Sequence, residues 1–429
     1  MMPKSLFWRI SFLCKTNAVG FLLIWILTAC CFILFRLWVD FGIGAGDRTS
    51  ESSHTQPRLQ QFHGDMKRIL FWNEYFQSKN YEFGLGHEPF VKAGCQFSNC
   101  VTTDDRKLLN VSDAVLFHAM DFDELDFPSL VIRRSDQRFI FYNYETCVGE
   151  KDMPVFVWTK DFFNWTMTYR RDSDIYDPHP YGSIRRRSDV LRPSLVMPRA
   201  LHPEMTPAYP AALIQPWNKS RSLVTKKTKM VAWFVSHCHT DGLREEYFGQ
   251  LGKYVGIDVY GRCGKLNCLP SRSSKCDQLL DSYKFYVAAE NAICTDYVTE
   301  KFYRALSSDI VPIVYGGADY SSYAPPLSYI DVSDFKSPKD LADYLKLLDE
   351  NDGLYLKYFD WKKDYEVVSR PVTGWCELCE KLNDPHQRPK VYKDISDWWF
   401  QNDMACVSGG NFLSGSLGVD LRQRPLKSI

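Results

Sequence analysis

Phe285–Leu306, FYVAAENAICTDYVTEKFYRAL, is the stretch whose reading decides the fold. It opens as a short apolar run, turns through a polar elbow and continues as an amphipathic helix. That order is the strand–elbow–helix unit of an α/β layer. On the helix Tyr297, Glu300, Lys301 and Arg304 fall at i, i+3, i+4 and i+7 and share one face. Val298, Phe302, Ala305 and Leu306 take the opposite face and can bury against a sheet. Thr295 or Asp296 can cap the start, leaving backbone N–H groups and a positive dipole end beside Lys301. A carboxylate for sugar hydroxyls, an ammonium for phosphate and an aromatic ring near a helix start suit a nucleotide-sugar. A solvated helix face with an ordinary i,i+4 charge pattern has the same spacing.

The segments around this unit extend the pattern. Met230–Ser236 reads as a strand, Leu243–Leu251 as a helix, Ile257–Gly261 as a strand and Ile310–Tyr315 as another. Ser337-Pro338 is a helix start, with Ser at the cap and Pro at the first position. Alternating β and α elements predict a doubly wound lobe with its crevice at the carboxyl ends of the strands. Upstream, the apolar runs Arg68–Trp72, Ala114–Phe117 and Phe139–Tyr142 predict a second parallel layer. Between the two, Pro193, Pro198, Pro203, Pro207, Pro210 and Pro216 forbid a long helix and mark a connection.

The 429 residues are 45% hydrophobic, enough for two cored domains. Lys+Arg and Asp+Glu each number 52. No global field favours nucleic acid, so recognition rests on local sites. Residues 18–35, AVGFLLIWILTACCFILF, carry no charge and follow Lys4, Arg9 and Lys15. This predicts a single-pass anchor with its short N-terminus in the cytosol. The expected organisation is a tail at 1–17, a transmembrane signal anchor at 18–38 and a stem at 39–65. A first, acceptor-side lobe follows at 66–187, a Pro-rich connection at 188–228, a second, donor-binding lobe at 229–365 and an extension with CxxC at 366–429. Sequons at Asn110, Asn164 and Asn218 fit a lumenal body. In an oxidising lumen close cysteines are expected to bridge: Cys95 with Cys100, Cys376 with Cys379, and two among Cys263, Cys268 and Cys276. Eleven lumenal cysteines leave at least one thiol free or intermolecular, which admits a homodimer. Zinc on Cys376-x-x-Cys379 is the competing reading, without a second matched pair.

FYVAAENAICTDYVTEKF resembles the donor-binding signature of the α1,3-fucosyltransferases, glycosyltransferase family 10. VSHCHTDGLREEYF with IDVYGRCG, and RFIFYNYETCVGE with FNWTMTYRRDSDIYDPHPYG, resemble further stretches of that family. VPIVYGGADYSSYAPPLSYIDVSDF is similar to its invertebrate branch, and the likeness spans roughly residues 66–365. The resemblance implies a GT-B-type fold of two Rossmann-like doubly wound lobes facing a cleft, behind the N-terminal transmembrane helix. It implies inverting transfer of L-fucose from GDP-fucose to a GlcNAc hydroxyl of glycoprotein or glycolipid glycans, in the Golgi membrane as a type II protein. By position it makes Glu145 the general base. Arg244, Asn291, Tyr297, Glu300 and Lys301 would hold the donor, Glu300 at the ribose hydroxyls and Lys301 and Arg244 at the diphosphate. Two departures stand out. Ala289 and Ala292 replace the usual Phe and Ser, and Glu300–Pro312 is one residue short, which turns later helix positions by about 100° and leaves Arg304 unmapped.

Asp172-Ser173-Asp174 has the form of a D-x-D site holding a diphosphate through Mn²⁺. The resemblance does not use it so, and Arg244 and Lys301 already answer the diphosphate charge. No obligatory metal is expected, Mn²⁺ being at most stimulatory. His237-Cys238-His239 lacks a third ligand and reads as structural. Alternatives in other classes are a catalytically silent glycan-binding membrane protein, suggested by Ala289 and Ala292, and a metal-dependent transferase using another nucleotide sugar. Acceptor choice is expected in first-lobe loops such as Phe117–Pro128.

Overall fold

The computed structural model describes residues 65–128, 133–146, 148, 153–178, 180–187, 223–268, 273–401 and 405–417. The expected tail, anchor, stem (save Asp65), Asn218 and most of the Pro-rich connection lie outside them. Among the described residues no helix is long and apolar enough to cross a membrane. The described residues fall in one compact unit.

Short, mostly apolar runs build two parallel sheets, and the wholly buried ones, such as 114–118 and 283–289, have no polar alternation because they are covered on both faces. The first contains β1 (Lys67–Phe71), β2 (Cys100–Thr103), β3 (Ala114–His118), β4 (Arg138–Asn143), β5 (Trp165–Thr168) and β6 (Ile175–Tyr176). Its order is β2-β1-β3-β4-β5-β6, and each pairing is parallel. A short β7 (Ser183–Arg186) follows. The second sheet contains β8 (Lys229–Phe234), β9 (Ile257–Tyr260), β10 (Tyr283–Ala289), β12 (Val311–Tyr315) and β13 (Ile330–Asp331); β11 is the two-residue strand Ile293–Cys294. Its order is β13-β12-β10-β8-β9, again all parallel. The chain runs from β8 outward to β9, then returns to the other side of β8 as β10. The switch point between β8 and β10 opens a crevice at their carboxyl ends.

Helices α1 (Arg244–Leu251) and α2 (Glu300–Ser307) cover the second sheet, with α3 (Pro338–Glu350). The Ser337 side chain accepts from the Asp340 N–H, as its Ser-Pro start requires. Strand β14 (Tyr365–Val368) pairs antiparallel with β7. Beyond it, α4 (Thr373–Asn383) and α5 (Ile395–Phe400) pack on the first sheet, with Trp375 and Trp399 fully buried in its core. Strand β15 (Cys406–Val407) pairs with β11, and α6 (Gly409–Leu417) sends Leu413 into the second core.

The disulfides correct two of the expected local pairs, while the third, two among Cys263, Cys268 and Cys276, forms as Cys268–Cys276. Cys95 bridges Cys376, and Cys100 bridges Cys379. Cys95 and Cys100 are therefore not partners, nor are Cys376 and Cys379. Cys376 and Cys379 sit one helical turn apart on α4 and face the two first-lobe cysteines together. Cys263 pairs with Cys238, and Cys268 with Cys276; Cys294 pairs with Cys406. The CxxC is thus a staple, with no thiolate left for zinc. Cys147 lies outside the described residues.

Candidate active site

The carboxyl ends of the two sheets face a cleft of about 1060 Å³. Glu145, Arg244, Asn291, Tyr297, Glu300 and Lys301 all line it. Six residues singled out from widely separated stretches therefore share one space.

Glu145 lies two residues beyond β4. Its N–H donates to the Asn143 carboxamide at 3.1 Å, which fixes the turn that brings it to the cleft. Burial raises its pKa above the ordinary carboxylate value; the Lys301 charge pulls it down and the Glu300 charge pushes it up. A carboxylate so placed is a better proton acceptor than an exposed one.

Arg244 opens α1 after Leu243, whose φ of 52° ends the preceding turn. Only 4% exposed, its guanidinium donates to the Ala289 carbonyl at 2.6 Å and the His237 carbonyl at 3.1 Å. It thereby clamps the loops after β8 and β10 across the switch point. Burial lowers its pKa, opposed by Glu290 and Glu245. Its Nε has no partner among the described residues.

Helix α2 starts later than its sequence pattern suggests. Thr299, not Thr295 or Asp296, occupies the cap position, and its own side chain caps nothing. The capping acceptor comes from the elbow. Glu290, fully buried, accepts from the Thr299 N–H and hydroxyl at 2.9 Å each. The same carboxylate accepts from Lys301 Nζ at 2.9 Å. Asp296 adopts φ 61° and accepts from the Arg171 N–H of the first lobe at 3.0 Å and the Tyr323 hydroxyl at 2.8 Å. Tyr297 consequently precedes the helix. It is 4% exposed and packs edge-on to Tyr169 at 5.2 Å, within the first core.

Arg304 also lines the cleft, where helical spacing alone had put it. It pairs with Asp277 at 2.7 Å and lies 4.9 Å from the Phe234 ring. The facing wall carries residues for which the sequence offered no signal. Tyr75, Phe76 and Glu82 come from the loop after β1, and Glu82 meets Arg370 at 3.4 Å. Phe76 and Glu82 hold positive φ, at 47° and 55°, without being glycine. Asp172 pairs with Arg170 at 2.6 Å, and Asp174 with Lys390 at 2.5 Å and Tyr392 at 2.9 Å. Neither aspartate is in the cleft lining, so this D-x-D braces the C-terminal extension. Among the described residues no three His, Cys, Asp or Glu side chains group as metal ligands. His237 lines the cleft while Cys238 is bridged.

Ala289 and Ala292 are buried in the second and first cores respectively and do not line the cleft. Of the described sequons, Asn110 is exposed. Asn164 is 7% exposed, donating to the Lys390 carbonyl and accepting from the Phe139 N–H, both at 2.8 Å. Its carboxamide thus does a structural job at the edge of β4.

A cleft between two parallel sheets, with basic groups at one switch point and a half-buried carboxylate opposite, is the working space of a sugar-nucleotide transferase. The comparisons define it further. The fucosyltransferase N-terminal family model matches residues 64–182, and the glycosyltransferase family 10 (fucosyltransferase) C-terminal model matches residues 224–398. Alpha-(1,3)-fucosyltransferase C of Drosophila melanogaster is 34% identical over 362 residues, 81% of this chain and 81% of the relative. Glycoprotein 3-alpha-L-fucosyltransferase A of the same organism is 35% identical over 344 residues, 78% of this chain and 61% of the relative. A solved alpha1,3-fucosyltransferase with GDP-fucose covers 80% of this chain and 95% of its own at 16% identity, with a TM-score of 0.45. The chain belongs to glycosyltransferase family 10 and is a fucosyltransferase-type enzyme.

Proposed function

We propose that this protein transfers L-fucose from GDP-β-L-fucose, with inversion and α1,3 linkage, to a GlcNAc hydroxyl of glycoprotein or glycolipid glycans. The observation that carries the reading is the convergence of Glu145 with Arg244, Asn291, Tyr297, Glu300 and Lys301 on one cleft. Glu145 takes the proton from the acceptor hydroxyl as its oxygen bonds to the anomeric carbon. The sugar–phosphate bond breaks, and its electron pair goes to the β-phosphate oxygen. The charges of Arg244 and Lys301 stabilise that leaving diphosphate, so the donor site needs no metal of its own. Glu300 accepts from the ribose hydroxyls, and Asn291 and Tyr297 complete the donor wall.

The GT-B reading of the two lobes, the anchor at 18–38 and a Golgi location with a lumenal body belong to the same proposal. Ala289 and Ala292 give no reason to prefer a silent glycan-binding protein, because their side chains fill cores. The test is fucose transfer by the full-length protein from GDP-fucose to a panel of core-chitobiose and antennary acceptors, run with and without chelator. Donor binding with no turnover on any acceptor would overturn the enzyme reading of this cleft. Complete loss in chelator, rescued by Mn²⁺, would overturn the metal-free one.

A further inference from the structure

Glu290 is the one fully buried carboxylate on the elbow, and the transfer chemistry makes no use of it. Its backbone is fixed by an N–H bond to the Tyr315 carbonyl at 2.9 Å, which ties the elbow to the end of β12. One carboxylate oxygen takes both Thr299 donors. The other takes the Thr299 hydroxyl and Lys301 Nζ, each at 2.9 Å. Lys301 Nζ bonds the Thr299 hydroxyl as well, at 2.7 Å, so three side chains close a compact ring. The ring sits at the start of the donor helix, with Lys301 at its cleft edge, 23% exposed, and Glu290 behind it at 0%.

Burial works against the Lys301 ammonium, yet the charges of Glu290 and Glu300 outweigh it and its pKa lies above the usual value. Glu290 also acts electrostatically on Arg244, another cation lining the cleft. One buried negative charge therefore faces both positive groups assigned to the diphosphate. A buried ammonium without a counter-ion is costly, while an ammonium locked in a dry ion pair cannot serve an incoming anion fully.

We propose that Glu290 is the resting counter-ion of Lys301, a positioning residue that holds the ammonium at the cleft edge and is partly displaced from it by the donor diphosphate. This rests on the reading of the cleft as the GDP-fucose site. The carboxylate keeps the empty site ordered and sets how tightly the anionic product is retained. Retention matters because GDP release completes every turnover, and product release limits many enzymes.

Glu290→Gln keeps the shape and an acceptor oxygen for Thr299 while removing the charge. The experiment is calorimetric titration of wild type and variant with GDP, inorganic pyrophosphate and guanosine at two salt concentrations. GDP and pyrophosphate should bind the variant roughly five- to tenfold more tightly, with a steeper salt dependence, while guanosine affinity stays fixed. The acid limb of the transfer pH profile should also move down, because Lys301 then acts on Glu145 at full strength. A carboxylate that merely capped α2 would lower stability and leave the anion affinities and the pH limb in place; that result overturns the proposal. If Glu290→Gln does not fold, Glu290→Asp decides, since it keeps the charge but withdraws it from Lys301. GDP affinity must then rise over wild type, and an unchanged or weaker affinity overturns the proposal. Wild type that fails to bind GDP at all refutes the donor-site reading instead.

Discussion

Removing the two bridges between the first sheet and α4 tests how this body is held together. Cys95–Cys376 closes a sequence separation of 281 residues, and Cys100–Cys379 one of 279. In the chain-entropy description either bridge alone is worth about 5.6 kcal/mol. The two are not independent. Cys100 lies five positions beyond Cys95, and Cys379 three beyond Cys376. Once one bridge stands, the other closes a path of only about eight residues, worth about 2.5 kcal/mol. Cys95→Ala/Cys376→Ala should therefore cost about 2.5 kcal/mol beyond the small cavity, and so should Cys100→Ala/Cys379→Ala. The quadruple variant should lose about 8 kcal/mol, more than the two pairs summed and close to a whole domain's stability. Equilibrium urea unfolding followed by tryptophan fluorescence gives the three losses; peptide mapping without reduction gives the connectivity. Losses that simply add would refute the shared-loop reasoning. A map joining Cys95 to Cys100 would refute the pairing itself.

Glu145→Gln should lower kcat by about 10²- to 10⁴-fold and leave GDP affinity unchanged; turnover like wild type would remove Glu145 from the base role. Because the base acts as a carboxylate and burial raises its pKa, the wild-type rate should fall with decreasing pH through a midpoint above the ordinary glutamate range. Lys301→Met, which removes the charge that pulls this pKa down, should move that midpoint upward. Asn164→Ala strips the Phe139 N–H and Lys390 carbonyl of partners and should cost about 1–3 kcal/mol. Measuring urea midpoints on enzymatically deglycosylated proteins keeps any lost glycan out of that comparison. Gly182 holds φ 151°, and a Cβ there would lie 2.5 Å from the Tyr303 ring on α2; Gly182→Ala should cost about 1–3 kcal/mol and weaken GDP binding, read by thermal shift with and without GDP.

The parts of this molecule that were legible in its sequence are those governed by local rules. Uniformly apolar runs such as Phe139–Tyr142 and Val311–Tyr315 can only be strands covered on both faces, and Ser337-Pro338 can only begin a helix. The second-sheet wall of the cleft was legible because most of its residues crowd into one strand–elbow–helix unit. The opposing wall was not. Tyr75, Phe76 and Glu82 sit in a loop with no periodicity, and Phe76 and Glu82 hold positive φ values that nothing in their residue types announces. Arg370 reaches the same wall from nearly three hundred residues away. Two of the expected cysteine pairs failed for a related reason. Proximity along the chain says nothing about which way two side chains face, and Cys376 and Cys379 share a helical face directed at another element.

Tyr297 shows what sequence spacing concealed about the site's rigidity. As a helical residue it would travel with α2 and the second lobe. Lying before the helix, it is instead packed into the first core against Tyr169. Its neighbours are tied in other directions: Asp296 to the Arg171 N–H, the Thr295 N–H to the Ala405 carbonyl, and Cys294 to Cys406. Four consecutive residues of the elbow are thus tied to two distant segments, 405–406 and 169–171. A loop held this way cannot swing with one lobe, so the donor face is ordered before substrate arrives, and little of the binding energy is consumed in arranging it. The same restraint explains how the elbow accommodates Ala289 and Ala292. Side chains that only fill cores can shrink while the backbone stays tied by Arg244, Glu290 and the Cys294 bridge, leaving the cleft-facing Asn291, Tyr297 and Lys301 in register.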